Sequence, residues 1–330
     1  MPIGYVTTDQ IDFNEIYYGQ VQPAVDMYRQ VSLPMITALA TPWPEQIMKY
    51  GLSEKNGYQV LSLGERPLRK TVQEATMYPR VTKYGYGIGS DLDTMRRSTS
   101  RQLQMAINRG FAEDSENVLL QFLKVLMTDP GTSNAGYGLY NGQFAAEEIL
   151  TAPPRFQNNT FAAGHTHYYG TNNATLALAH ITAAKQTIRH HGNMGSLAGF
   201  INSVQQQALE DLASFTQSSI IRSPISDSVA VSGFSEVFQL LGVTWHVTEM
   251  IPSGYMAIVE TSGDETRRPM VMYEPANMRG LNLMPGPMND YPLVESFFER
   301  WFGVKVANRG AGVAIQIVAS TTYTNPTFNE

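Results

Sequence analysis

The chain contains no cysteine. Disulfides, thiolate nucleophiles and cysteine-based zinc or iron–sulfur sites are thereby excluded. Charge is scarce: Asp, Glu, Lys and Arg make up 16% of the residues, against about 25% in an average soluble domain. The net charge of −6 leaves no basic excess, and phosphate binding needs clustered Lys and Arg. The surface as a whole is therefore not expected to grip nucleic acid, although a wall that merely encloses DNA tolerates this sign. No apolar run approaches the ~20 residues that span a bilayer. Met1-Pro2-Ile3-Gly4-Tyr5 lacks the basic start and apolar run of a signal peptide. A soluble protein made in a cytoplasm, with no membrane partner, is the expectation.

Apolar mass is abundant. With 330 residues, 43% of them hydrophobic, the chain can bury a sizeable core and is long enough for two domains. Its 17 Tyr, 14 Phe and 16 Met fit a chain that hides surface against partners. A large core accounts for the same composition.

The most informative stretch is Asn56 to Met127. Tyr58–Leu63 alternates apolar and polar residues, Gly64-Glu65-Arg66-Pro67 breaks the run, and Thr71–Ile88 returns in β-favouring residues. This predicts a long hairpin with a basic tip. Gly85, Gly87 and Gly89 are expected to loosen its base. Ser90 or Asp91 can cap the next helix. Leu92–Met127 carries no proline, and its apolar residues recur near a 3.6 period (Leu103, Ile107, Phe111, Val118, Leu119, Phe122, Leu126). Gly110 is a candidate bend. A protruding hairpin has little core of its own and must lie on something; a second copy of the chain is the natural support.

Before this stretch, Phe13–Val31 has helical spacing interrupted by Pro23, and Pro34, Pro42 and Pro44 break the segment after it. Residues 131–175 read as a Gly/Asn-rich connector with a short helix possible at Phe144–Leu150. Beyond it, helices are expected at Ala174–His190, Gln205–Phe215 and Phe234–Leu241. Strands are expected at Gly195–Val204, Thr244–Glu249 and Tyr255–Glu260, the last two linked by Ile251-Pro252-Ser253-Gly254. Met270–Tyr273, Leu281–Met284, Leu293–Trp301 and Gly303–Val318 are the remaining β segments. The last two read as an antiparallel pair turning at Asn308-Arg309-Gly310-Ala311-Gly312. The polar tail after Ser320 is expected to be loosely held.

Few motifs carry chemistry. Tyr84-Gly85-Tyr86-Gly87-Ile88-Gly89 is Gly-rich, but its spacing matches neither GxGxxG nor GxxxxGK[ST]. His165-Thr166-His167 places two imidazoles on one face of a strand, a metal-like spacing without a nameable third ligand. His190-His191 closes a helix, where a cation suits the dipole. No GxSxG elbow occurs, and the Glu147-Glu148 pair has nothing to raise its pKa values. No catalytic residue, no metal and no cofactor is assigned.

The order of elements, with Pro292–Asn308 (PLVESFFERWFGVKVAN) leading into an Arg-bearing turn at Arg309 and a further apolar strand, resembles the major capsid proteins of tailed bacteriophages, the Hong Kong ninety-seven fold. The resemblance implies an α+β subunit. An N-terminal arm covers 1–55 and an extended hairpin 56–89. The spine helix and connector of a peripheral domain take 90–174, and an α/β axial domain takes 175–280. Peripheral-domain strands occupy 281–322, before a tail at 323–330. It further implies pentamers and hexamers of one chain forming an icosahedral head around double-stranded DNA, bound without sequence specificity. Portal, scaffolding or decoration proteins are the implied partners. The place is the virion, assembled in the host cytoplasm. No basic or coiled scaffold segment precedes the arm, so a separate scaffold is expected if one is used. The lysine–asparagine weld of the founding member is not carried over to Lys70, Lys83 or Asn308. A bacterial encapsulin-type compartment shares the fold. A metal-assisted α/β hydrolytic enzyme around His165 and His167 is the alternative of a different class. The candidate assembly interface pairs the tip, Arg66, Pro67, Leu68, Arg69 and Lys70, with Glu113, Asp114 and Glu116 of a neighbour.

Overall fold

The computed structural model describes residues 22–30, 39–45, 48–52, 73–77, 79–91, 100–129, 138–141, 161, 165–214, 221–222, 236–261, 268–285 and 293–328. Two sheets share one long helix. A five-stranded sheet holds β1 (Ala40–Trp43), β11 (Met270–Tyr273), β13 (Leu293–Val306) and β12 (Asn282–Pro285), with β4 (Thr82–Asp91) also paired to β13. A seven-stranded sheet runs β5 (Tyr168–Gly170), β14 (Gly312–Gln316), β10 (Tyr255–Thr261), β6 (Ser196–Ile201), β9 (Val243–Val247), β8 (Glu236–Leu240) and β7 (Ile221–Arg222). The helices are α1 (Gln22–Gln30), α2 (Ser100–Met127), α3 (Leu178–His190) and α4 (Ser203–Ser214). Among the described residues, no helix is long and apolar enough to cross a membrane.

The spine helix forms as its periodicity predicts. Val118, Leu119, Phe122, Leu123, Leu126 and Met127 are buried on one face. They pack with Met270 and Met272 of β11 and with Phe302, Val304 and Val306 of β13. The expected first turns, 92–99, lie outside the described residues. Gly110 has a packing role: a Cβ there would stand 2.8 Å from Phe298, so glycine lets β13 approach the helix. Pro23 does not interrupt α1. It lies in the first turn, where a missing N–H costs nothing.

The seven-stranded sheet is covered on both faces. Leu197, Ile201, Val243, Trp245 and Ile258 face α3 and α4 through Ile181, Ile188 and Leu209. Ala198, Phe200, Ala257 and Val259 face the spine-helix core. Two buried faces explain why β6 and β10 read as continuous apolar runs.

Several expectations need correction. The hairpin begins earlier than 56: β2 (Met48–Leu52) pairs antiparallel with β3 (Gln73–Met77), so its outgoing strand starts in the stretch read as arm. Tyr58–Leu63 and the tip 65–70 lie outside the described residues, as does Phe144–Leu150. Gly85, Gly87 and Gly89 do not loosen the base, and Ser90 and Asp91 continue the same strand; the helix start they are expected to cap lies outside the described residues. All five belong to β4 and pair in register with Leu293–Glu299. Residues 234–241 are not helical over the described part. Glu236–Leu240 is a strand that turns into β9 through Leu241 and Gly242, both at positive φ (54° and 72°), the backbone a two-residue hairpin turn requires.

The largest correction concerns the C-terminus. Strands β13 and β14 are not partners. β13 runs unbroken through Gly303 and pairs with β4, β11 and β12. β14 enters the other sheet between β10 and β5. The turn at 308–311, closed by the Ala311 N–H donating to the Asn308 carbonyl at 3.1 Å, is a crossover between sheets. The 281–322 block is therefore split between them, and β11, read as part of the α/β unit, pairs with β13 instead. The tail is also tied down. The Tyr323 hydroxyl donates to the Met127 carbonyl (2.6 Å), and the Asn325 amide donates to that of Asp129 (3.0 Å).

Candidate functional site

Two constellations stand out: an acidic stretch of α2 beside a buried ion-pair network, and a histidine cluster at the sheet crossover. In the first, Glu113, Asp114 and Glu116 occupy one turn of α2 but face differently. Asp114 points inward, and its side chain is only 5% exposed. Arg300 of β13 donates to it from Nη1 at 2.7 Å and to Glu274 from Nε at 3.0 Å. The Tyr28 hydroxyl of α1 donates to the same Asp114 oxygen at 3.0 Å, and its ring stacks on Phe111 with centroids 4.6 Å apart. Burial opposes the Arg300 charge, but Asp114 and Glu274 outweigh it and hold its pKa above the ordinary value. Burial, then the Asp114 carboxylate, raises the Tyr28 pKa. Asp114 thus binds α1, the spine helix and β13 together inside one subunit. It is not available to a neighbour's hairpin, which corrects that part of the sequence expectation.

Glu113 and Glu116 remain outward. Arg109 lies 3.5 Å from Glu113 in an exposed i,i+4 pair, worth little in water. Burial, then the neighbouring Glu113, raises the Glu116 pKa. Both line a surface groove together with Glu249, Met250, Leu120 and Tyr84. Three carboxylates thus share one groove with apolar walls. Arg66, Pro67, Leu68, Arg69 and Lys70 lie outside the described residues.

The second constellation supplies the third ligand that local spacing does not name. His165 and His167 meet a third histidine, His191. It is placed there by α3, whose buried Ile181, Ala184 and Ile188 fix the helix against the sheet and set His191 at its C-terminal cap. The three Nε2 atoms lie 2.9, 2.9 and 3.1 Å apart. His167 is fully buried, and its Nδ1 donates to the Gly312 carbonyl at 2.5 Å. Burial is the first cause that lowers all three pKa values; that of His191 falls from the ordinary 6.5 to about 3. His191 is therefore neutral and is not the dipole-compensating cation that its helix-end position suggests. No sequence signal pairs residue 191 with 165; the contact depends on long-range packing.

These depressed values set a pH dependence. His246, held neutral by burial, falls from 6.5 to about 4. Unfolded chains bind these protons near pH 6.5 and the folded chain does not, so the histidines contribute fully above about pH 6.5. That contribution is lost as the pH falls toward the folded values. The melting temperature of metal-free protein should therefore drop between about pH 6.5 and 5, above the range where carboxylates titrate. A flat profile over that interval contradicts the burial of these rings.

The helix-backed pair of sheets, the β2–β3 ladder and the long β4–β13 pairing define the class: this is the Hong Kong ninety-seven-type capsid fold, shared with tailed-phage major capsid proteins. No protein-family model matches the sequence, and no curated protein matches it. Solved structures do. A chain from Mycobacterium phage Patience superposes with a TM-score of 0.63 at 21% identity, over 98% of this chain and 92% of that one. The capsid of a native GTA particle gives 0.55 at 12%, covering 87% and 90%. The SrpI encapsulin complex of Synechococcus elongatus gives 0.51 at 11%, covering 89% and 90%. The similarity establishes the fold.

Proposed function

We propose that this chain is the major capsid protein of a tailed bacteriophage, assembling into pentamers and hexamers of a closed head around double-stranded DNA. The observation that carries the reading is the β2–β3 ladder, whose connecting segment is basic, on a subunit that also carries a groove of three carboxylates. A two-stranded ladder cannot reach stability alone, and the groove fits Arg66, Arg69 and Lys70 of a second copy, with Pro67 and Leu68 against its apolar wall. A neighbour from Mycobacterium phage Patience, which spans nearly the whole of this chain, and the capsid of a native GTA particle support the same assignment. The subunit acts as a wall and not as an enzyme. Its place is the virion, its partner is itself, and portal, scaffold or decoration proteins join the same shell.

Charge complementarity gives the test. Each exposed ion pair is worth only ~0–1 kcal/mol, but a closed shell repeats it at every subunit. The double variant Arg66→Glu/Arg69→Glu should stay folded and lose assembly, read by sedimentation beside a normal circular dichroism spectrum. A Glu113→Lys/Glu116→Lys change in the same chain should restore part of it. Wild-type assembly by the tip variant removes the groove from the proposal.

A further inference from the structure

Three imidazoles from two separate stretches of chain turn their Nε2 atoms toward one point. Hydrogen bonds alone do not satisfy this triangle. Each of its three edges needs one proton. His167 carries its ring proton on Nδ1, because the Gly312 carbonyl can only accept. Neutral His165 and His191 supply at most one Nε2 proton each. At least one edge then sets two lone pairs face to face about a hydrogen-bond length apart. An electron-pair acceptor at the centre resolves what the available protons do not.

We propose that His165, His167 and His191 hold one divalent transition-metal ion through their three Nε2 atoms, with zinc the ion this donor set suits best. Neutral imidazole is a good ligand for zinc, nickel and copper. With Zn–N bonds of about 2.0–2.1 Å, nitrogens at these separations place the ion about 1 Å off their plane and leave a fourth position open. The chain has no thiolate to complete a closed site.

The supporting shell is built for this geometry. The Gly312 carbonyl fixes the tautomer and orientation of His167, as the second hydrogen bond of a metal-bound histidine does. Phe161 and Tyr140 stack on the His191 ring, with centroids 4.2 and 5.3 Å away. Gly310 lies flat against the same ring, where a Cβ would come within 2.8 Å of Cγ. Arg309 and His190 are the nearby groups that oppose a cation. The Arg309 guanidinium is held by the Gly138 and Leu139 carbonyls at 2.9 and 3.1 Å. The ion would join the end of α3 to the entry of β5. Through Gly310 and Gly312 it would brace the crossover between the two sheets. This is independent of assembly: a subunit that never forms a shell still binds the ion.

The test uses the untagged full chain, stripped with a chelator and dialysed against zinc chloride. Elemental analysis should find about one zinc per chain, as one three-histidine site allows. Cobalt(II) added to the stripped protein should give the intense visible bands of a four-coordinate site. The chelator should lower the melting temperature of the wild type. His165→Ala/His191→Ala should lose the zinc and the cobalt bands, and chelator should no longer shift its melting. The loss should exceed the roughly 10–100-fold affinity change caused by removing a mere supporting hydrogen bond. If the double variant does not fold, His165→Ala alone removes only a half-buried ring and should show the same spectral loss. No retained zinc in the wild type, equal retention in wild type and variants, or the pale spectrum of hydrated cobalt each overturns the site.

Discussion

Replacing Phe122 with alanine should destabilise the subunit by about 3–5 kcal/mol. Phe122 is 1% exposed and lies between the spine helix and the β11–β13 face. Its removal leaves a cavity that a helix pinned against two sheets has little room to close. Leu119→Ala, in the same stripe at 2% exposure, should cost about 2–5 kcal/mol. Domains hold only ~5–15 kcal/mol in total, so either variant should accumulate as insoluble protein, not as soluble protein lacking an activity. Chemical denaturation of any soluble fraction measures the loss. Wild-type solubility and melting in both variants contradict the packing of α2 on β13.

The second large effect belongs to Arg300. Arg300→Met leaves Asp114 buried with its charge uncompensated, and breaking such a pair from one side costs about 3–5 kcal/mol. Asp114→Leu strands Arg300 in the same way, although Glu274 remains beside it. The double variant removes both charges and should cost clearly less than the sum of the two, because contacting residues couple. Tyr28 loses one of its two acceptors wherever Asp114 is changed and keeps only the Phe111 carbonyl at 3.2 Å, so α1 should exchange its amide protons faster than the core strands. Single variants within ~0.5 kcal/mol of wild type, the range of ordinary surface changes, contradict a buried network.

These two sites differ in how well the sequence announced them. The Phe122 stripe is a local pattern: one helix, one face, one period, and of the residues named from periodicity Ile107, Val118, Leu119, Phe122 and Leu126 are buried and Phe111 half-buried. The apolar strands β6 and β10 were legible for a related reason, since burial on both faces leaves few polar residues to mislead. Asp114 was legible only as one acid among three. Its partner Arg300 is 186 residues away, and nothing in a helical turn reveals which of its carboxylates a distant strand will claim. The same limit explains β13 and β14. Two neighbouring apolar runs with a Gly-rich turn between them suggest a hairpin by local logic, yet β14 is needed to complete the doubly covered sheet beside β10. Glu236–Leu240 failed for a different reason: five residues do not separate a helical period from an alternating one, and the deciding signal was the Leu241-Gly242 turn. His191 was hidden because histidines that meet through tertiary packing share no spacing rule.

Electron microscopy of the purified full chain tests most directly whether it is a shell subunit. Across protein concentration and salt, the expected images are rings of five or six subunits or closed angular shells. Sedimentation should place little material at the 36.6 kDa of a single chain. A monodisperse 36.6 kDa species under every condition, with no ring or shell in any field, contradicts a shell-forming role.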